Sequence, residues 1–81
     1  MMETKLAIVA ITIRNKDSVV RVNSILHEFG EYALGRMGVP IKDRNESVIS
    51  LIVEAPQEIL NSLSGKLGMI DGVKSKVITA K

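Results

Sequence analysis

The sequence predicts an α+β fold, a ferredoxin-like βαββαβ sandwich in which a four-stranded antiparallel sheet carries two helices on one face. Three observations predict it. Strand-like and helix-like segments follow one another in the order strand, helix, strand, strand, helix, strand. The two halves are similar in length, and each is a strand–helix–strand crossover whose right-handed closure produces that sheet. The chain has 81 residues, which fits a single domain, 1–81, with one core.

Each element has its own signal. Residues 5–14, KLAIVAITIR, are rich in Ile and Val and short, which reads as a strand. Both parities are apolar, Leu6, Ile8 and Ala10 on one face and Ala7, Val9, Ile11 and Ile13 on the other, so the strand is expected to be buried on both sides. Asn15–Ser18 is a turn, with Asp17 and Ser18 as helix N-cap candidates. Val19, Val22, Ile25, Leu26 and Phe29 recur at helical spacing, and Gly30 is placed to end that helix. Gly35, Gly38 and Pro40 argue against a further helix, so a second strand is expected from Tyr32 to Ile41, bent or bulged at its glycines.

Lys42–Asn45 is a polar hairpin turn leading to a third strand, Ser47–Ala55. There Val48, Ser50 and Ile52 share one face and Ile49, Leu51 and Val53 the other. Pro56 suits the first turn of a second helix, with Glu58 complementing its dipole and Ile59, Leu60, Leu63 and Leu67 forming its apolar stripe. Gly65 is awkward inside it, and Gly68 marks its end. Asp71-Gly72 then turns the chain into a last strand, Val73–Ala80.

One consequence is physical. Two helices cover one sheet face only, yet the first and third strands are apolar on both. Ala7, Val9, Ile11, Ile49, Leu51 and Val53, or their opposite-parity partners, must then face outward, and such a patch marks an interface. The expectation is a homo-oligomer, a dimer or tetramer, joined through the helix-free face or the sheet edges. A chain this small also needs a helper for its core, and with no cysteine a disulfide is excluded.

Composition narrows the function. No cysteine and one histidine exclude thiolate zinc sites, iron–sulfur clusters and histidine cages, and no cofactor is expected. The net charge is +2 with scattered basic residues, and one Phe and one Tyr give bases almost nothing to stack on, so autonomous DNA binding is not expected. The longest apolar run, Leu6–Ile11, is too short to span a membrane, and without an export signal the cytoplasm is the default expectation.

Three places carry candidate chemistry. His27, late in the first helix, reads either as a metal or anion ligand or acid/base group, paired with Glu31 if the helix runs on, or as a helix-end residue serving the last carbonyls. Gly35-Arg36-Met37-Gly38 brings backbone amides and a guanidinium to an anion, or its glycines only permit a bulge. Arg14, Asn15, Lys16, Asp17 and Ser18 open the first helix, where free amides suit an acidic ligand, or they form a capped surface turn. Met37 and Met69 read as core or interface filler. No serine nucleophile motif is present, so no catalytic residue is assigned.

HEFGEYALGRMGVP (27–40) and LSGKLGMIDGVKSKV (63–77), with the strand–helix beginning, resemble the iron-only hydrogenase system regulator family over nearly the whole sequence. The resemblance implies an ACT-like domain and a non-enzymatic regulatory role, transcriptional regulation included. The chain is also similar to the C-terminal sensory domain of nickel-responsive repressors. Their histidine and cysteine ligands have no counterparts in Tyr32–Glu46, and their DNA-binding segment has none here, so neither nickel sensing nor autonomous DNA binding is implied. ACT domains bind amino acids or similar small molecules near the first strand–helix turn, which implies Arg14, Asn15 and Asp17 as ligand-binding residues. The leading expectation is a homo-oligomeric regulator that binds a small effector or a partner protein. The alternatives are a protein-only adaptor and a small acylphosphatase-type enzyme using Arg14 and Asn15.

Overall fold

The computed structural model describes residues 3–80. Its elements are β1 (Lys5–Ile13), α1 (Val19–Glu28), β2 (Ala33–Ile41), β3 (Glu46–Ala55), α2 (Gln57–Gly68) and β4 (Val73–Thr79), with 3₁₀ turns at Lys16–Ser18, Gly30–Tyr32 and Lys42–Arg44. The strands form one antiparallel sheet in the order β2-β3-β1-β4. The α+β, ferredoxin-like architecture read from the sequence is therefore the observed one.

The registers fix which residues share a face. Ala7, Val9, Ile11 and Ile13 of β1 lie opposite Val53, Leu51, Ile49 and Ser47 of β3. The apolar residues of this set are buried with Val22, Leu26 and Phe29 of α1 and Leu60, Leu63 and Leu67 of α2. That is the core, and both helical stripes supply it as their spacing predicts. The opposite parity faces away. Ile8 pairs with Ile52 on one side and Ile78 on the other, and Gly35 pairs with Ile52, so Gly35–Ile52–Ile8–Ile78 forms one row across all four strands.

The side chains of that row sit in water: Ile8 is 45% exposed, Ile52 41% and Ile78 53%, with Leu6 at 45% beside them. Burial of β1 on both sides, expected from the sequence, thus does not occur within a single subunit. The helices cover the odd-numbered positions of β1, β3 and β4 and leave their even-numbered ones bare, and in β2 the parity is reversed.

β2 bulges between Ala33 and Gly35, as its glycines suggest, and is exposed along most of its length. As an edge strand it accommodates Pro40. The hairpin to β3 turns through Asn45 at φ 57°, a left-handed conformation that asparagine tolerates. Met37 and Met69 are 66% and 82% exposed, so neither fills the core; Met37 lies on the open face opposite Ser50 and Met69 follows α2.

Helix boundaries differ in detail. α1 runs to Glu28 with Phe29 as its C-cap, the Phe29 amide still donating to the Ile25 carbonyl at 3.1 Å, and Gly30 follows at the helix end as expected, opening a 3₁₀ turn. His27 and Glu31 are therefore not carried on one continuous helix. Pro56 is the N-cap of α2 rather than its first residue, its carbonyl accepting from the amides of Ile59 and Leu60.

Two glycines make opposite demands. Gly72 has φ +75°, and a Cβ there would lie 2.8 Å from the Asn15 Cβ, so the turn needs glycine twice over. Gly65 is exposed inside α2, and a Cβ there would meet nothing within 4 Å. Gly65→Ala is expected to stabilise the fold by about 0.5–1 kcal/mol, whereas Gly72→Ala lowers stability. Urea denaturation of the two variants checks both signs.

Candidate functional site

The sequence-predicted residues fall into two groups. Arg14, Asn15 and Asp17 lie at the β1–α1 turn; Arg36 lies across from the middle of α1. His27 is exposed in the last turn of α1.

The β1–α1 turn is bonded internally. The Asn15 side-chain carbonyl accepts from the Asp17 amide at 3.0 Å, so Asn15 caps the 3₁₀ turn that leads into α1, while Ser18 holds the N-cap position of α1 itself without a side-chain cap bond. The Ser18 amide donates to the Asn15 backbone carbonyl at 2.9 Å, and the Arg14 amide donates to the Gly72 carbonyl at 2.7 Å. Ser18, the buried polar residue of the described chain, donates its hydroxyl to the Asp71 carbonyl at 2.7 Å. The Asn15 amide nitrogen reaches Asp71 Oδ2 at 3.5 Å. This turn is clamped to the α2–β4 turn, and its amides are directed at the chain itself. The Arg14 guanidinium faces Glu46 at 3.6 Å, with its side chain 62% exposed.

Arg36 stands in a different setting. Its position opposite Leu51 places it on the helix side of β2, together with Gly38 opposite Ile49 and Pro40 opposite Ser47. Arg36 Nη2 donates to Asn23 Oδ1 of α1 at 3.0 Å. Gly35 and Gly38 occupy opposite faces of an extended strand, so they form no amide cradle around Arg36.

Between α1 and the β2 edge runs a groove made of two adjoining hollows. One, of about 170 Å³, is lined by Ile13, Val19, Asn23, Arg36, Gly38 and Ile49 among others. The second, of about 260 Å³, is lined by Lys16, Ile41, Lys42 and Glu46 among others, and the two share Pro40 and Ser47. Asn23, Ser47 and Lys42 line this groove and were passed over by sequence reasoning, whereas Lys16 belongs to the Arg14–Ser18 turn singled out from the sequence. The signal for Asn23 is its position between Val19 and His27 at i+4 steps, on the border of the apolar stripe of α1.

Other polar contacts bind the two helices together. Lys66 of α2 donates to Glu28 of α1, and its ammonium lies 5.5 Å from the centre of the Phe29 ring. Among the described residues no cluster of His, Asp and Glu has the makings of a metal site, and no helix is long and apolar enough to cross a membrane.

A family model described as "TM1266-like: Iron-only hydrogenase system regulator, putative" matches residues 5–77. Among solved structures, the uncharacterized protein TM1266 from Thermotoga maritima superimposes with a TM-score of 0.94 at 34% identity, over 98% of this chain and 100% of that one. An unknown protein from Galdieria sulphuraria gives a TM-score of 0.66 at 13% identity, over 98% of this chain and 46% of that one. A formyltetrahydrofolate deformylase from Pseudomonas putida KT2440 gives 0.66 at 15% identity, over 94% of this chain and 29% of that one. The last two similarities concern the fold alone. No curated protein matches the sequence significantly.

The Ser18 hydroxyl is the buried link between the two turns. Ser18→Ala is expected to cost about 1–2 kcal/mol, because it leaves the Asp71 carbonyl without its partner. Chemical denaturation measures this, and Arg14→Ala, which removes only an exposed ion pair, should change stability by less than about 1 kcal/mol in the same assay.

Proposed function

The chain belongs to the TM1266-like family of iron-only hydrogenase system regulators, and from that premise we propose that it is a non-enzymatic regulatory module that works as a homo-oligomer and binds a small effector or a partner protein. The observation that carries this reading is the bare sheet face, with its apolar row Gly35–Ile52–Ile8–Ile78. Contiguous apolar surface of this kind on a small domain is interface surface. Arg14 and Asn15, the pair an acylphosphatase-type reaction would need, are engaged with Glu46 and Asp17 respectively. The exposed face offers aliphatic rather than aromatic side chains, which favours protein association over base stacking.

The face also favours a particular arrangement. Its central row is uncharged, Lys74 and Lys76 lie toward one strand end, and Glu54 lies toward the other. A second copy stacked face to face, with its two-fold axis along the central row, places each lysine end over the Glu54 end of the partner and isoleucine over isoleucine. The sheet footprint is about 19 Å by 24 Å from strand spacing and rise. The pair therefore buries about 900 Å², below the roughly 1,200 Å² of a stable specific interface and in the range of weak, transient ones, which suits a reversible dimer whose population an effector shifts.

Cross-linking tests this directly, and the absence of native cysteine makes single-site labelling clean. Packed sheets stand about 10 Å apart, beyond disulfide reach, so a short bismaleimide is the probe. On the axis, Ile8→Cys is expected to cross-link to its own copy. Lys74→Cys, whose copies lie about 27 Å apart in this arrangement, is not. Cross-linking at 74 without 8, or at neither, overturns the face-to-face dimer. Ile8→Lys is expected to give monomers by light scattering while retaining native circular dichroism.

A further inference from the structure

We infer that the groove between α1 and the β2 edge binds a small organic anion, a carboxylate on an aliphatic body, with the carboxylate on Arg36 and the aliphatic part along the groove floor. The inference deepens the effector-binding part of the reading above and rests on it for its regulatory meaning.

Four features of the groove converge. Its floor is apolar, because Ile13 and Ile49 belong to the buried core and Val19 packs against that core from α1. Its width comes from a missing side chain. Gly38 lies on the helix side of β2, and a Cβ there would make ordinary contact with Ile49 Cγ1 at 3.9 Å. A larger side chain at 38 would therefore fill the hollow without forcing the strand to move.

Arg36 is already oriented over it by the 3.0 Å bond to Asn23, which leaves further guanidinium N–H groups for a ligand. A planar fork of donors held in place is suited to a carboxylate. The adjoining hollow adds Lys16 and Lys42, and its one acidic lining residue, Glu46, is paired with Arg14. The lining is thus cationic at its rim and greasy at its base, which complements an amphiphilic anion rather than a neutral alkane or a bare inorganic ion.

The combined hollows, about 170 and 260 Å³, suit a short-chain ligand. The site borders the β1–α1 turn at Lys16 but makes no use of that turn's amides, which are spent on Asn15 and Gly72. It is separate from the bare sheet face, which is on the other side of β2 and β3.

The test is a titration of the ¹⁵N-labelled full chain with hexanoate, with hexanol and inorganic phosphate as controls. Hexanoate is expected to shift the amides of residues 36–39 and 47–49 and that of Asn23, and hexanol and phosphate each to bind at least tenfold more weakly. Arg36→Gln is expected to lose tenfold or more in hexanoate affinity, the scale of one charge-assisted hydrogen bond. Gly38→Val, at an exposed edge-strand position, is expected to keep the fold and abolish binding.

Shifts confined to Ile8, Ile52 and Ile78, undiminished binding in Arg36→Gln or Gly38→Val, equal binding of hexanol or phosphate, or no shifts at all would each overturn the inference. Light scattering on the same samples separates the two proposals. An oligomer that ignores hexanoate sinks the ligand inference alone, and a monomer that binds it sinks the assembly alone.

Discussion

Side-chain alternation along β1 and β3 is the constraint from which the rest of this structure follows. Successive residues of a strand point to opposite faces, so a strand that is apolar at every position needs a cover on both sides. Two helices are enough for one. The registers of β1 with β3 and β4 then leave no freedom, because a one-residue slip of β1 would expose Val9 and Ile11, one of β3 would exchange Leu51 for Ser50, and one of β4 would bury Lys74 and Lys76. The odd-numbered face is fixed as core by that difference. The even-numbered face is left with Ile8, Ile52 and Ile78 in a row, a surface that costs solubility unless something covers it.

A second constraint joins the two halves of the fold. The β1–α1 and α2–β4 turns lie at the same end of the sheet because β1 and β4 are neighbours. They are held together by Arg14 and Gly72, Ser18 and Asp71, and the close approach of Gly72 to Asn15. This gives the β1–α1 turn a structural task that accounts for Asn15 and Ser18 without a ligand. The groove proposed above as a ligand site lies between α1 and β2, where Arg36 and Asn23 meet above an apolar floor.

Much of this was legible in the residues. The apolar spacing of Val19, Val22, Leu26 and Phe29 and of Leu60, Leu63 and Leu67 located both helices and their buried faces, and apolar residues on both faces of β1 and β3 announced an uncovered side. Three things were not legible. Which parity is core depends on where the helices land, and Ile70 and Val73 join the core through tertiary packing rather than through any periodic signal. The pairing of Arg36 with Asn23 joins two elements that only tertiary packing brings together, so local sequence carried the guanidinium but not its partner.

Membership of the regulator family and the bare sheet lead to one physical picture, a subunit that completes its sandwich with another copy of itself and whose assembly can be biased by what binds beside α1. Assembly is the premise of that picture. Sedimentation equilibrium of the unmodified chain at high-micromolar concentration tests it most directly. The picture predicts a mass at a whole multiple of the 8.8 kDa subunit, two or four copies. A single species at the subunit mass across the concentration range would contradict it.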